Sequence, residues 1–285
     1  MSSATQPRLA FIGVGTMAKA EDHASAIGNA KAVTDVSEAV ASADIIFMCL
    51  GVDAAVQSTI ESAVKSDVKG KLFVDCSTIH PDTTTMISKV IEAQGGHFVA
   101  CPVFGAPAMA QSGQLVCVVA GPADQTKRVF PFCAGVMGRA NIDYSGQAPS
   151  KATLMKIIGN TFILSMVSTL AEGHVMAEKT GLGVEELHKF VEAMFPGPFT
   201  AYSKRMLEGD YYLRDSPLFG VDLARKDAGH AAHLAKEAGT SMKIAEVADG
   251  YLKMVKEHMG EKGDIAGIYG AKRKENGLDF ENQGK

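Results

Sequence analysis

The chain has no tryptophan and no long run of one charge. The charge pattern bears on the class of partner, and the lack of tryptophan bears on how ligand binding can be measured. A net charge of −4 over 285 residues, without a basic cluster, gives no reason to expect a nucleic-acid partner. The five cysteines form no C-x-x-C pair and no cluster with histidine at metal-ligand spacing, so no metal site is expected. Without tryptophan, energy transfer from the protein is a poor binding signal, and the emission of a fluorescent ligand must be followed directly.

Targeting signals are also missing from the sequence. The polar first residues run straight into a strand-like segment, without the charged and then apolar pattern of a signal peptide. The last residues, Asn282 to Lys285, match no lipidation or retrieval signal. Cys49, Cys76, Cys101 and Cys117 lie in strand-like apolar runs, which favours buried, reduced thiols. We therefore expect a cytoplasmic protein that has no membrane partner.

The longest regular segment is a helical stretch from Pro149 to Gly181. From Ile157 to Ala171 no residue is charged and apolar residues occur on every face, which is typical of a buried helix. Polar residues interrupt this run, so we expect a core helix and not a membrane span. Lys156 and Asn160 are four residues apart at its start and therefore share one face. Lys156 has a purely structural alternative, in which its amine snorkels from the rim of the buried section.

A glycine-rich turn follows the first apolar run of the chain. The segment from Arg8 to Gly15 is short and apolar, and the residues that follow, Thr16 to Ala18, lead into a helical pattern. A G-x-G-x-x-A turn between strand and helix is typical of dinucleotide binding, because its glycines permit a tight turn and close approach of a pyrophosphate. The N–H groups at the start of the helix then face the phosphates.

The segment after this turn is short for such a unit. A dinucleotide-binding unit needs about thirty residues for strand, helix and second strand. Here Lys19 to Val33 holds one helical pattern and a very short apolar piece. Asp35 falls at the distance of a ribose-binding carboxylate, but Thr34 to Glu38 is more typical of a helix start that Asp35 caps. Both interpretations stay open, and the cap is favoured.

Strands and helices then alternate regularly until Tyr144, and only helical patterns follow Gly181. The strand-like runs are Ala43 to Leu50, Lys71 to Cys76, His97 to Val103, Leu115 to Ala120 and Ala140 to Tyr144. Such alternation predicts an α/β fold with a mostly parallel, doubly wound sheet, whose ligands bind beyond the carboxyl ends of the strands. We expect one domain over residues 1–146, a helical substrate or dimerisation domain over 147–270, and a frayed polar tail over 271–285.

Five motifs occur in an order that resembles the β-hydroxyacid dehydrogenases. They are Gly13 to Ala18, Asp75 to Pro81, Pro102 to Ala106, Lys156 to Asn160 and Arg225 to Asp227. This family includes 3-hydroxyisobutyrate dehydrogenase, and it shares a fold with 6-phosphogluconate dehydrogenase and the imine reductases. The resemblance covers almost all of the chain. It implies a Rossmann-like sheet domain joined by a long helix to an all-helical domain, in an NAD(P)-dependent oxidoreductase.

The resemblance also implies roles for individual residues. Those expected to bind the cofactor, NADP or NAD, are Gly13, Val14, Gly15, Thr16, Met17, Leu50, Gly51, Thr78 and Lys226. Lys156 would be the catalytic general acid or base toward a hydroxy acid or a related carbonyl compound. The expected substrate-binding residues are Asn160, Phe104, Gly105 and Ala106. Partial burial lowers the pKa of an amine toward neutral pH, which suits a general acid or base.

Two departures from the family pattern matter. After Ala20 the nucleotide-binding unit is about twenty residues short, and the missing part would hold the second strand and the loop that selects NADP or NAD. The substrate loop reads Phe104-Gly105-Ala106 where the family usually has Ser-Gly-Gly, which favours a bulkier substrate. Two alternatives stay open, a non-catalytic binding or assembly module and an imine reductase. The apolar helix also predicts a homodimer.

Overall fold

The computed structural model describes residues 6–13 and 17–282. The chain divides into two compact units, Met1–Lys156 and Ile157–Lys285. This division falls inside the long helix, beyond the domain boundary expected at Gly146. The boundaries of the functional domains stay a prediction.

The first unit is built on a mostly parallel sheet. The strands in the described residues are β1 Leu9–Ile12, β2 Ile45–Met48, β3 Leu72–Asp75, β4 His97–Ala100, β5 Val103–Phe104, β6 Leu115–Gly121 and β7 Gly138–Ser145. They are arranged in the order β1-β2-β3-β4-β6-β5, and β7 also pairs with β6. Strands β1 to β4 are parallel, β6 runs antiparallel to β4 and β5, and β7 is parallel to β6. The predicted Rossmann-like sheet is confirmed.

Helices connect these strands. They are α1 Met17–Ile27, α2 Val36–Ser42, α3 Asp53–Ala63, α4 Pro81–Ala93, α5 Pro107–Gln111, α6 Ala123–Val129 and the start of α7 Ser150–Thr180. Helix α6 ends at Val129, where a 3-10 turn at Phe130–Phe132, with Pro131 at its centre, follows. The run expected to be one strand from His97 to Val103 is divided into β4 and β5, with Pro102 between them.

Both faces of the sheet are covered by apolar side chains. Ile46 and Met48 of β2 pack in one buried cluster, and Ile45 and Phe47 pack in a second cluster. Residues that alternate along a strand point to opposite faces, and both sets are buried here. A strand buried on both sides reads as a continuous apolar run, which is why the sequence predicted these strands well.

The first crossover is short and contains two helices, α1 and α2, in its described residues. Strand β1 pairs directly with β2, with Leu9 opposite Ile45, and no strand lies between residues 17 and 44. As a result β1 is the end strand of the sheet in the described part of the chain. The side chain of Phe11 on β1 is 59% exposed, although its ring stacks on Phe47 at 5.3 Å.

The second unit is helical throughout its described residues, as predicted. After most of α7 it contains α8 Val184–Met194, α9 Pro198–Leu207, α10 Asp210–Leu213, α11 Val221–Glu237, α12 Lys243–Met259 and α13 Ile268–Glu275. By length and composition alone α7 could cross a membrane, but 56% of its most apolar window is buried inside the fold. Such burial is also typical of the core helix of a folded domain.

The expectation of a frayed tail is wrong for the residues up to Asn282. Phe280 is 2% exposed, and its carbonyl accepts a hydrogen bond from the Tyr211 hydroxyl at 2.5 Å. Its ring lies so close to Gly270 that a Cβ there would come within 2.7 Å of it. One buried aromatic ring therefore anchors a segment whose composition is polar.

Two imidazoles, those of buried His174 and half-buried His188, share one serine hydroxyl in the second unit. His174 Nε2 lies 2.9 Å from Ser203 Oγ, and the same oxygen lies 2.8 Å from His188 Nδ1. Burial, with the nearby His188 as a second cause, lowers the pKa of His174 to about 4. The folded protein therefore favours neutral His174 at a pH where the unfolded chain is already protonated.

We predict that the contribution of His174 to the free energy of unfolding is fully present above the pKa of an unfolded histidine and is lost between about pH 6.5 and pH 4. The linkage contribution of this one group is about 3 kcal/mol over that range. His174→Gln can still hydrogen-bond Ser203 but does not titrate, so its unfolding energy should depend less on pH. Denaturant melts at several pH values measure the slope. His23→Gln, at an exposed position, is the control and should keep the wild-type slope.

Candidate functional site

The turn between β1 and α1 accepts only glycine at its first position. Gly13 has φ +104°, and a Cβ there would lie 2.2 Å from the carbonyl oxygen of Cys49. Helix α1 begins at Met17, and the first N–H groups of a helix are groups to which a phosphate can bind. Of the other residues predicted for this turn, Val14, Gly15 and Thr16 lie outside the described residues. For Met17 the structure describes only its place as the first residue of α1.

The loops after β2 and β3 are joined by hydrogen bonds. The N–H of Leu50 donates to Ser77 Oγ at 2.9 Å, and the N–H of Ser77 donates to Asp75 Oδ1 at 3.0 Å. These bonds place Leu50, Gly51 and Thr78 beside one another at the carboxyl edge of the parallel strands. That edge is where ligands bind in open α/β sheets.

Asp53 is a positioning residue that the sequence did not reveal. Its Oδ1 accepts hydrogen bonds from the N–H of His80 at 2.8 Å and from Thr83 Oγ1 at 2.7 Å. The start of α3 is thereby fixed to the loop after β3. An aspartate at the first position of a helix is so common that no signal in the sequence distinguishes it.

Helix α4 is capped by His80, and Ser77 and Thr78 lie before this cap. The Nδ1 of His80 accepts from the N–H of Asp82 at 3.2 Å. Ser77 instead joins two loops of the predicted cofactor edge, and Thr78 is half-buried at the same edge.

Asp35 caps α2, as the sequence favoured. Its Oδ1 accepts from the N–H of Ser37 at 2.6 Å and from the N–H of Glu38 at 3.4 Å. The bond from Ser37 is the main cause that lowers the pKa of Asp35 below its usual value. Its carboxylate is therefore already used at the helix terminus.

Lys156 lies against the loop that is predicted to bind substrate. Its side chain is buried, at 9% exposure, and its Nζ lies 4.2 Å from the centre of the Phe104 ring. Phe104 belongs to β5, where it pairs opposite Val116 of β6. The next residue, Gly105, has φ +143° and turns the chain toward Ala106, the N-cap of α5. The structure thus brings together the predicted catalytic lysine and the ring that replaces a serine in the family pattern.

In the second unit Asn160 and Lys226 both contact Asp227. Asn160 Nδ2 donates to Asp227 Oδ2 at 2.6 Å, and Lys226 Nζ lies 3.3 Å from Asp227 Oδ1. Asp227 is 3% exposed and lies on α11. The sequence motif contained Asp227, but its role in holding two predicted site residues was missed, because it lies 67 positions from Asn160 along the chain.

The described residues fit the phosphate part of a dinucleotide better than its adenosine part. Gly13 permits close backbone approach, and α1 begins directly behind the turn. On the adenosine side, however, the described residues contain no second strand after α1, and the carboxylate of Asp35 is engaged in its cap. The phosphate-binding role of this region therefore stays a prediction, and the described residues between α1 and α2 contain no strand whose end could carry a ribose-binding residue.

Comparison with known proteins shows the family to which this chain is similar. Residues 15–146 match the NAD-binding domain of 6-phosphogluconate dehydrogenase, and residues 150–271 match the NAD-binding domain of NADP-dependent 3-hydroxyisobutyrate dehydrogenase. NADH-dependent oxidoreductase ucdB of Aspergillus ustus is 36% identical over 266 residues, which cover 93% of this chain and 90% of that protein.

More distant relatives share the same fold. Glyoxylate/succinic semialdehyde reductase 1 of Arabidopsis thaliana is 32% identical over 183 residues, covering 64% of this chain and 61% of the relative. The chain spans about half, 51%, of the nuclear factor N-PAC of Danio rerio, at 27% identity. The crystal structure of 3-hydroxyisobutyrate dehydrogenase from Salmonella typhimurium matches 92% of this chain and 98% of its own, with a TM-score of 0.80 at 18% identity.

The fold, the glycine turn and these matches define an NAD(P)-dependent dehydrogenase or reductase. The chain belongs to the β-hydroxyacid dehydrogenase family. Its cofactor is NAD or NADP.

We predict that replacing Asp35 changes stability and leaves cofactor affinity alone. Asp35→Ala removes the acceptor of two backbone N–H groups and should lower the melting temperature, whereas Asp35→Asn keeps a cap and should melt close to wild type. The dissociation constant for NADH, followed by the emission of NADH itself, should be the same in all three proteins. Weaker NADH binding by both variants would instead identify Asp35 as a ribose ligand.

Proposed function

We propose that this protein interconverts a hydroxy compound and the matching carbonyl compound, with Lys156 as the general acid or base. The observation that carries this proposal is the buried amine of Lys156 beside the Phe104 ring, on the loop expected to bind substrate. Removing an amine from water has a cost, and the cation–π contact with the Phe104 ring offsets part of it. A catalytic role accounts for the position of this amine better than a snorkelling lysine, whose amine would reach solvent.

In the proposed reaction the cofactor transfers the hydride and Lys156 transfers the proton. The nicotinamide cofactor, when bound, supplies or accepts the hydride. In the direction of reduction the Lys156 ammonium donates a proton to the carbonyl oxygen as that oxygen becomes a hydroxyl. In the direction of oxidation the neutral amine takes the proton from the hydroxyl. Phe104 covers the amine and keeps water away from it, which strengthens the interaction of the amine with the substrate oxygen.

The presence of Lys156 favours carbonyl over imine chemistry, because imine reductases commonly carry another residue at this position. Solved structures of imine reductases share the fold at 17–19% identity, which supports the architecture alone. The roles expected for Asn160 and Lys226 remain part of the proposal.

We propose further that the substrate carries an apolar group beside its reacting carbon. Phe104 takes the place of a serine whose hydroxyl could bind a carboxylate, and its half-buried ring offers an apolar surface instead. A site without that hydroxyl loses one polar contact to a small hydroxy acid, and it gains contact area for a larger, less polar substrate.

A homodimer is also part of the proposal. Ile158, Phe162 and Met176 of α7 are 45%, 71% and 64% exposed, which is unusual for large apolar side chains on one helix. Light scattering in solution, which gives the particle mass, distinguishes a dimer from a single chain.

We predict that Lys156→Met lowers kcat with the best substrate by roughly 10²- to 10⁴-fold, the usual contribution of one general acid or base. NADH binding and the melting temperature should change little, because methionine fills a similar volume. Lys151→Met is the matched control, since Lys151 is exposed on the same helix. An unchanged kcat in the Lys156 variant would remove the catalytic assignment.

We predict that Phe104→Ser shifts substrate preference toward small hydroxy acids. The ratio of kcat/KM for a small 2- or 3-hydroxy acid to that for an aryl-substituted one should rise by about tenfold or more. Phe104→Leu keeps an apolar side chain and should retain the wild-type preference. Comparing the two variants separates the effect of polarity from the loss of the aromatic ring over Lys156. An unaltered ratio in the serine variant would contradict the proposed substrate class.

A further inference from the structure

Three buried cysteines lie together on the face of the sheet that carries Ile45 and Phe47. The sulfur atoms of Cys101, Cys117 and Cys133, here called the thiol cluster, all lie within 4.8 Å of one another. The Sγ atoms of Cys101 and Cys133 are 4.0 Å apart. All three side chains are 0% exposed.

The thiol cluster is assembled from separate segments of the chain. Cys101 directly follows β4, Cys117 lies within β6, and Cys133 follows the 3-10 turn at Phe130–Phe132. A fourth thiol, that of half-buried Cys76, directly follows β3 and packs against the apolar cluster that contains the other three. Because the sheet fixes β3, β4 and β6 side by side, the backbone holds these thiols near one another before any ion is considered.

The spacing suits a metal that prefers sulfur. A tetrahedral zinc ion with Zn–S bonds of about 2.3 Å places its sulfur ligands about 3.8 Å apart. The cluster already lies close to this spacing, and small rotations about the Cα–Cβ bonds would bring the sulfurs inward. The side chains packed around the cluster are apolar, and thiolate ligands of this kind select zinc or copper(I).

We propose that Cys101, Cys117 and Cys133 bind one zinc ion, with Cys76 as the fourth ligand. The site differs from the zinc sites that sequence spacing reveals, because its ligands come from four segments and not from a C-x-x-C pair. It is independent of the proposed catalytic role of Lys156.

Such an ion would hold two loops of the candidate active site. Cys76 directly precedes Ser77 and Thr78 at the cofactor edge, and Cys101 lies three positions before Phe104. Val103 also pairs in register with Cys117. One ion bound to Cys76, Cys101 and Cys117 would therefore fix the starting points of the cofactor loop and the substrate loop relative to each other.

Metal binding must displace protons in this site. Cys133 Sγ donates to the carbonyl of Val129 at 3.5 Å, so this sulfur carries its proton in the metal-free structure. Each thiol that becomes a ligand releases one proton to solvent, and no sulfur is oxidised. Zinc affinity should therefore fall as the pH is lowered. Because the cluster is buried, the ion enters while the chain folds.

The test uses the full chain produced in media supplemented with zinc or with cobalt(II), then dialysed against a weak chelator. We expect about one metal ion per chain by mass spectrometry of the metal content. The cobalt protein should show the visible ligand-field bands and near-ultraviolet charge transfer of tetrahedral thiolate coordination. Cys117→Ser and Cys133→Ser should lose both signals, Cys76→Ser should bind more weakly, and Cys49→Ser, outside the cluster, should match wild type.

Two results would overturn the proposal. One is a metal content in wild type no higher than in Cys117→Ser, with all five thiols titrating in denaturant. The other is a disulfide among the cluster cysteines in place of metal. If the serine variants do not fold, denatured wild type is refolded with cobalt(II) or with chelator alone. Refolded protein that lacks the thiolate charge-transfer band would then reject the site.

Discussion

The position of the Lys156 amine depends on how the first turns of α7 are packed in the first unit. Ala152 is fully buried in the sheet core, and Met155 packs against the same core. Thr84 of α4 donates a hydrogen bond to Thr153 at 3.1 Å, and Thr153 in turn donates to the carbonyl of Ser150. A lysine has four flexible bonds and loses much conformational freedom when it is fixed. Packing of the helix below it, and of Phe104 against it, reduces that loss before substrate arrives.

Much of the fold could be predicted because its strands are buried on both faces. Continuous apolar runs marked β2, β3 and β6, and uncharged sequence on every face of α7 marked a core helix. Predictions from the sequence were also correct where the interaction is between residues near in the chain. The Asp35 cap is an example, because its partners are two and three residues away. The order of the motifs then indicated the family, and the comparisons confirm it.

The features that the sequence did not reveal depend on contacts between distant residues. Phe280 packs on Gly270 and accepts from Tyr211, so the tail is not frayed, although its composition is polar. Asp227 holds Asn160 from 67 residues away. Cys49 is exposed, although it follows an apolar strand, whereas Cys101, Cys117 and Cys133 come together only when the sheet forms. Spacing along the chain cannot report proximity that a tertiary fold creates.

The shortened crossover leaves a specific opening for protein engineering. In the described residues, β1 pairs on one side only, and the loop after α1 begins at Gly28, which has φ +80° and open space where a side chain would project. A strand has its N–H and C=O groups ready to pair along a free edge. A strand-and-helix cassette inserted after Gly28, carrying either an aspartate or an arginine at the end of its strand, would extend the sheet past β1. The choice of that one residue would let an experimenter set the preference of this scaffold for NAD or NADP.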